Sequence, residues 1–244
     1  MDANIPTIGL VADSQLQTSA VHRNTSYLNS VLSDYFINVA VRTTAQNTLS
    51  EIGLTSLLQE LTDSGAEIVF YLGDGLNNGC TDEANRFFDI LRAAQQTIPI
   101  FMAIGNHDYL AAGNARSQPI RLDLCGTGNR PLSKAEMIRR IHELNQTSFE
   151  KYRDTILAGY SFASSVGTDF LECPSTRQDS APKCFYAATL LGAKHDIVIM
   201  DTSHYENVST YGEFTGAKGF IGTTQVEWIY DLLADRSNPR VLFS

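Results

Sequence analysis

The sequence predicts an α/β fold with a largely parallel sheet, and three observations predict it. Five short apolar runs, rich in Val, Ile, Leu and Phe and without polar alternation, read as strands covered on both faces. Between them lie amphipathic helical patterns, and strands alternating with helices of that length imply βαβ crossovers. With 244 residues, 43% hydrophobic and 18% charged, the chain is long enough to bury a full core. It reads as a single domain over 1–244.

The elements follow in order. The first run is TIGLVAD (7–13). A helix is expected over 48–64, where Thr48 and Glu51 form a capping box, Leu54, Leu57, Leu58 and Leu61 recur at helical spacing, and Gly65 is a stop. EIVFYLGD (67–74) is the second strand, followed by a helix over 81–96 carrying Ala84, Phe87, Phe88, Leu91 and Ala94 on one face. IPIFMAIGN (98–106) is the third strand. From Tyr109 to about Gly192 the pattern breaks into Gly/Asn/Pro-rich pieces around one helix near 133–157, opened by a Ser133 and Glu136 capping box after Leu132. Residues 109–192 read as an insertion shaping the substrate site. HDIVIMD (195–201) and PRVLFS (239–244) complete the strands. The helix between them opens at Thr224 and Glu227 and is expected to turn Val226, Ile229, Leu232 and Leu233 inward.

Composition removes some function classes. A formal net charge of −9 gives no basic face to neutralise nucleic-acid phosphates, although a small phosphorylated substrate could still be held through cations. No apolar stretch approaches the ~20 residues of a membrane helix, and the opening MDANIP shows neither a basic nor an apolar leader region. A soluble chain without a visible address is expected. Cys80, Cys125, Cys173 and Cys184 show no C-x-x-C spacing, which argues against a zinc knuckle. Two disulfides are possible; a Cys173–Cys184 bridge would clip the polar loop PSTRQDSAPK. Pairing would favour a secreted or periplasmic location, and free thiols a reducing one. Glycosylation sequons stand at Asn24, Asn145 and Asn207.

The chemistry concentrates where the first three runs end: Asp13-Ser14-Gln15, then Gly73-Asp74-Gly75-Leu76-Asn77, then Gly105-Asn106-His107-Asp108. In an open parallel sheet the carboxyl ends of the strands share one edge, where ligands bind. Asp13, Asp74 and Asn106 would each offer an oxygen ligand there, and glycines 73 and 105 would let the backbone turn sharply. A pair of metals roughly 3.5–4 Å apart needs a bridging carboxylate and can drive in-line phosphoryl displacement; Asp74 suits the bridge. His107 can place a proton or positive charge beside a leaving oxygen, and Asp108 can fix its tautomer and raise its pKa.

These blocks resemble the calcineurin-like metallophosphoesterases, whose signature runs D-x-H, G-D-x-x-D/N, G-N-H-D/E, a histidine after a later strand, and G-H-x-H. DSQ (13–15), GDGLN (73–77) and GNHD (105–108) match the first three blocks, and the run from DTSHY to PRVLFS is similar to the approach to the fourth. The resemblance implies layered β-sheets flanked by helices, with an inserted loop and helix region. It implies metal-dependent hydrolysis of a phosphate monoester or diester by a metal-activated water. The cofactors would be two divalent ions, Mn²⁺ first, with Mg²⁺, Fe or Zn²⁺ as alternatives. Asp13, Asp74 and Asn106 carry over as metal ligands, and His107 and Asp108 as the acid pair. The partner would be a small phosphorylated substrate, a phosphoprotein or another phosphoester.

Two departures matter. Gln15 stands where the family usually has histidine. Its amide oxygen would be a harder, weaker ligand favouring Mn²⁺ or Mg²⁺, or it only hydrogen-bonds a ligand or water. The sequence also ends at Ser244 with no G-H-x-H, from which a C-terminally truncated chain is expected. The alternative is a catalytically inactive binding or scaffold protein of the same fold. His204 in DTSHY is a candidate metal or phosphate contact, and Asp201 is expected to brace the site edge. His22, His142 and His195 read as surface residues, and Arg23 and Arg42 as solvated charge or, alternatively, substrate-phosphate contacts. A Rossmann nucleotide site is excluded because no G-x-G-x-x-G follows the first strand.

Overall fold

All five apolar runs form strands in the computed structural model, which describes residues 6–16, 44–77, 79–109, 125, 129–166, 184–203 and 221–244, with backbone alone at 44–48. Strands β1 (Ile8–Val11), β2 (Ile68–Tyr71) and β3 (Ile100–Met102) make a parallel sheet in that order. The register pairs Val11 with Tyr71 and Tyr71 with Met102. All three strands therefore end level, and the three polar blocks leave the sheet at one edge.

Helix α1 (Thr44–Asp63) begins before Thr48, so the expected Thr48 cap lies inside the helix. Leu54 and Leu58 are buried, whereas Leu57 is exposed. Gly65 ends the element with φ 88°, a left-handed conformation that glycine adopts without steric cost. Helix α2 (Thr81–Ala94) buries Ala84, Phe87, Phe88 and Leu91 as expected. Because side chains alternate along a strand, Tyr71 of β2 meets Phe87 of α2 edge-on at 5.2 Å while Phe70 points to the opposite face.

Helix α3 (Lys134–Tyr152) starts at the expected capping box, with the Glu136 N–H donating to Ser133 Oγ at 3.2 Å and the Ser133 N–H to Glu136 Oε2 at 3.0 Å. Arg130 forks onto the same carboxylate and, as the largest cause, lowers it to about 2. A depressed carboxyl stabilises the fold above its unfolded value of 4.5 and loses that contribution as pH falls toward 2. Acid titration of unfolding is expected to be shallower between those two values in Glu136→Gln than in the wild type; superimposable curves would show that the fork contributes nothing.

The free edge of β3 is covered by polar side chains of α3. Asn145 Nδ2 donates to the Met102 carbonyl at 3.0 Å while its Oδ1 accepts the Met102 N–H at 2.7 Å. Ser148 Oγ accepts the Ile100 N–H at 2.9 Å. Two side chains thus take the place of a neighbouring strand and satisfy an edge that would otherwise be left unpaired. Asn145 is fully buried in the process, so its sequon is inaccessible in the folded chain.

A second sheet holds β4 (Ser161–Ser164), β5 (Ala188–Leu191), β6 (Asp196–Ile199) and β7 (Arg240–Phe243) in that order. Its β4–β5 and β5–β6 pairs are antiparallel and its β6–β7 pair is parallel. The architecture is therefore mixed α/β with two sheets, rather than one largely parallel sheet. The 109–192 region contributes α3, β4 and β5 to it. The sheets pack face to face, Phe70 stacking on Phe243 at 4.4 Å and Phe101 approaching Phe162 at 6.3 Å. The outermost β1 and β7 are not covered on both faces: Leu10 is 53% and Leu242 57% exposed.

Helix α4 (Thr223–Leu233) differs from its expected face. Gly222 is the N-cap in place of a Thr224 and Glu227 box, and the buried residues are Gln225 and Leu233. Val226 is 50% exposed, and Ile229 and Leu232 are half-buried. Polar anchoring of Gln225 sets this rotation. His195 is buried with its Nε2 against the Tyr160 hydroxyl, and His142 is half-buried beside the Tyr186 ring, so neither is the surface residue expected. Cys80 and Cys125 form a disulfide, Cys184 is also disulfide-bonded, and Cys173 lies outside the described residues. No described helix is long and apolar enough to cross a membrane.

Candidate functional site

The three blocks leave the first sheet as interlocked turns. The Asp13 N–H donates to the Gly73 carbonyl at 3.3 Å, Gln15 to Asp74 at 3.1 Å and Leu16 to Gly75 at 2.7 Å. Asp13 (φ 56°), Gln15 (φ 43°) and Asp74 (φ 54°) all sit in the left-handed region. Each such non-glycine residue costs on the order of 1–3 kcal/mol, and strain of this kind gathers at functional sites. The third block presses against the second so tightly that a Cβ on Gly105 would lie 2.2 Å from Asp74 Oδ1. Only glycine permits that approach.

Asp74 is the hub. Its Oδ1 accepts the His107 N–H at 2.8 Å, and the Asp13 carboxyl lies close enough for its charge to act on that of Asp74. Burial raises the Asp74 carboxyl above its ordinary value, and the Asp13 charge adds to the rise while the His107 N–H opposes it. Asp13 itself is solvent-exposed, and Gln15, Asn106 and His107 are half-buried.

Asp108 is fully buried and does not pair with the His107 ring. It accepts N–H groups from Gly105 at 2.8 Å and from Asp74 and Leu76 at 3.1 Å, clamping the second and third turns together. Burial pushes it up to about 7 against the pull of those amides. The partner of His107 Nδ1 is instead the Asn77 carbonyl, 2.8 Å away. A carbonyl oxygen only accepts, so Nδ1 carries a hydrogen. The sequence held no signal for this partner, because every residue has a carbonyl.

The second sheet reaches the site through Tyr109, whose hydroxyl donates to the Ser203 carbonyl at 2.7 Å. Ser203 is held by Asp201, which accepts its N–H at 2.9 Å and its hydroxyl at 2.6 Å. Asp201 is ion-paired with Lys134 at 2.7 Å, and Gln225 grips its backbone N–H and carbonyl at 2.8 Å each. Asp201 thus braces the end of β6. His204 lies outside the described residues.

Among the described residues no group of three His, Cys, Asp or Glu side chains is placed to hold a metal. What the turns do bring near one another is the pair of carboxylates of Asp13 and Asp74, while Gln15 and Asn106, two further residues with amide oxygens, lie on the adjoining turns. Such a set fits a hard cation of the Mn²⁺ or Mg²⁺ kind better than a soft one. A cation would also relieve the repulsion between the two carboxylates.

No protein-family model and no curated protein matches the sequence. Among solved structures the chain is similar to a dimetal phosphatase from Danio rerio, at 13% identity and a TM-score of 0.46, over 98% of this chain and 70% of that one. That likeness is too loose to assign a fold family.

Proposed function

We propose that this chain is a metal-dependent phosphoric ester hydrolase of the calcineurin-like metallophosphoesterase kind. One observation carries the reading: the Asp13 and Asp74 carboxylates lie near each other at a shared strand edge, with His107 docked on Asp74. Asp13, Asp74, Gln15 and Asn106 are the residues that would hold two divalent ions, Mn²⁺ by preference. When bound, such ions supply positive charge to phosphate oxygens and acidify a water at neutral pH. His107 then delivers the proton on Nε2 to the departing oxygen, its ring held in place by the Asn77 carbonyl. Asp108 acts only by keeping the turns together. The disulfides suit an oxidising compartment.

The protein stripped with a chelator and titrated with Mn²⁺ should bind the metal and regain hydrolysis of an aryl phosphate monoester, diester or both. Absence of both binding and turnover would sink the assignment. It would favour the second reading, a binding or scaffold protein, for which the lack of a three-residue ligand group among the described residues speaks.

The acid role of His107 has its own signature. His107→Asn should slow an alkyl phosphate, whose leaving oxygen needs a proton, by about 10²–10⁴-fold, and a nitrophenyl phosphate much less. Equal losses on both substrates would rule out proton delivery by His107.

A further inference from the structure

We propose that Tyr71 is a positioning residue that holds the Asp13-Ser14-Gln15 turn in its ion-binding shape. The inference rests on the reading of Asp13 and Gln15 as ligands of a divalent ion. Two of the three residues in this turn are left-handed, and neither is glycine, so the turn's own sequence does not supply the conformation. An outside group must. Tyr71 is the last residue of the central strand β2, fully buried, with its ring fixed edge-on against Phe87 at 5.2 Å. Its hydroxyl accepts the Ser14 N–H at 3.0 Å and donates to Ser14 Oγ. Ser14 Oγ in turn donates to the Gly75 carbonyl at 3.2 Å.

Every donor in this chain has one acceptor. It runs from the central, fully buried strand of the sheet to the residue between Asp13 and Gln15, and on to the turn that carries Asp74. Tyr71 and Ser14 act on the backbone from which Asp13 and Gln15 project. Without the hydroxyl, the left-handed pair is free to relax and Asp13 to turn away from Asp74.

The test uses the full chain and Mn²⁺ alone as the probe, with free Mn²⁺ followed by electron paramagnetic resonance. Tyr71→Phe keeps the ring against Phe87 and removes only the hydroxyl. Its Mn²⁺ affinity is expected to fall about 10–100-fold, the range for lost supporting contacts, with hydrolysis recovering at saturating Mn²⁺. Tyr186→Phe is the control: it removes an equally buried hydroxyl, which accepts from Asn145 Nδ2 at 2.8 Å away from the turn. It should lower thermal stability similarly yet bind Mn²⁺ like the wild type. Ser14→Ala, at a half-buried position, offers a second variant that loses both Oγ bonds but keeps the Ser14 N–H on the Tyr71 hydroxyl, and it should weaken Mn²⁺ binding by a smaller factor. Wild-type affinity in both Tyr71→Phe and Ser14→Ala would overturn the proposal, as would an equal loss in Tyr186→Phe. If the wild type itself takes up no Mn²⁺, the metal reading falls and this inference with it, an outcome distinguished by the failure of the wild-type arm.

Discussion

Asp74→Asn is expected to lose measurable Mn²⁺ binding and to lower hydrolysis of an aryl phosphate by at least about 10³-fold, equivalent to about 4 kcal/mol of transition-state stabilisation. Asparagine is chosen because it tolerates the left-handed backbone of this position. Its amide oxygen can still accept the His107 N–H, so the turn survives and only the charge is removed. The metal-free variant should be the more stable protein. In the wild type, the Asp74 carboxyl is raised by burial and by Asp13. A raised carboxyl favours the folded state at low pH, and that contribution is lost as pH climbs from its ordinary value of 3.8 through the raised one. Chelator-treated wild type should therefore lose more stability across that window than Asp74→Asn. Thermal unfolding with and without Mn²⁺ checks both halves. A variant that still binds and turns over, or that unfolds earlier without metal, would show that Asp74 is not the strained hub described above.

Lys134→Met should cost about 3–5 kcal/mol, the range for removing one partner of a buried ion pair, and on the order of 10 °C in melting temperature for a chain of this size. The side chains of Lys134 and Asp201 are 8% and 0% exposed. The large cost comes from the Asp201 charge left behind: Ser203 and Tyr186 amides still reach it, but no other cation among the described residues pairs with it. Lys134→Met combined with Asp201→Asn should recover much of the loss, since the stranded charge is gone. The same change should weaken Mn²⁺ binding, because Asp201 positions Ser203, Ser203 receives Tyr109, and Tyr109 adjoins the His107-Asp108 turn. Calorimetry on the two variants decides; a loss below about 1 kcal/mol in Lys134→Met would mean that water replaces the ammonium.

What could be read from the sequence was local. The buried strands announced themselves by apolar runs without alternation, and α3 by a Ser133 and Glu136 box whose partners are three residues apart. The three polar blocks stood out because Gly, Asp and Asn carry recognisable turn chemistry at strand ends. Other features depend on groups distant in sequence or without residue identity. The four-residue strands SFAS and ATLL have too little pattern of their own, and became β4 and β5 only by pairing across the second sheet. Helix α4 turned Gln225 inward because Asp201 offers it a backbone N–H and carbonyl, which outweighed the apolar face of Val226. His107 found a carbonyl instead of the neighbouring Asp108, since Asp108 is drawn inward by three amides of the adjacent turns. The sequence by itself determined where five of the strands lie, where α3 begins and which residues can carry the chemistry, because those follow from residue type and short-range spacing. The nearness of Asp13 to Asp74, the hydroxyl of Tyr71 on Ser14 and the tautomer of His107 were decided only by the tertiary structure, because each requires level registers between strands far apart in the chain.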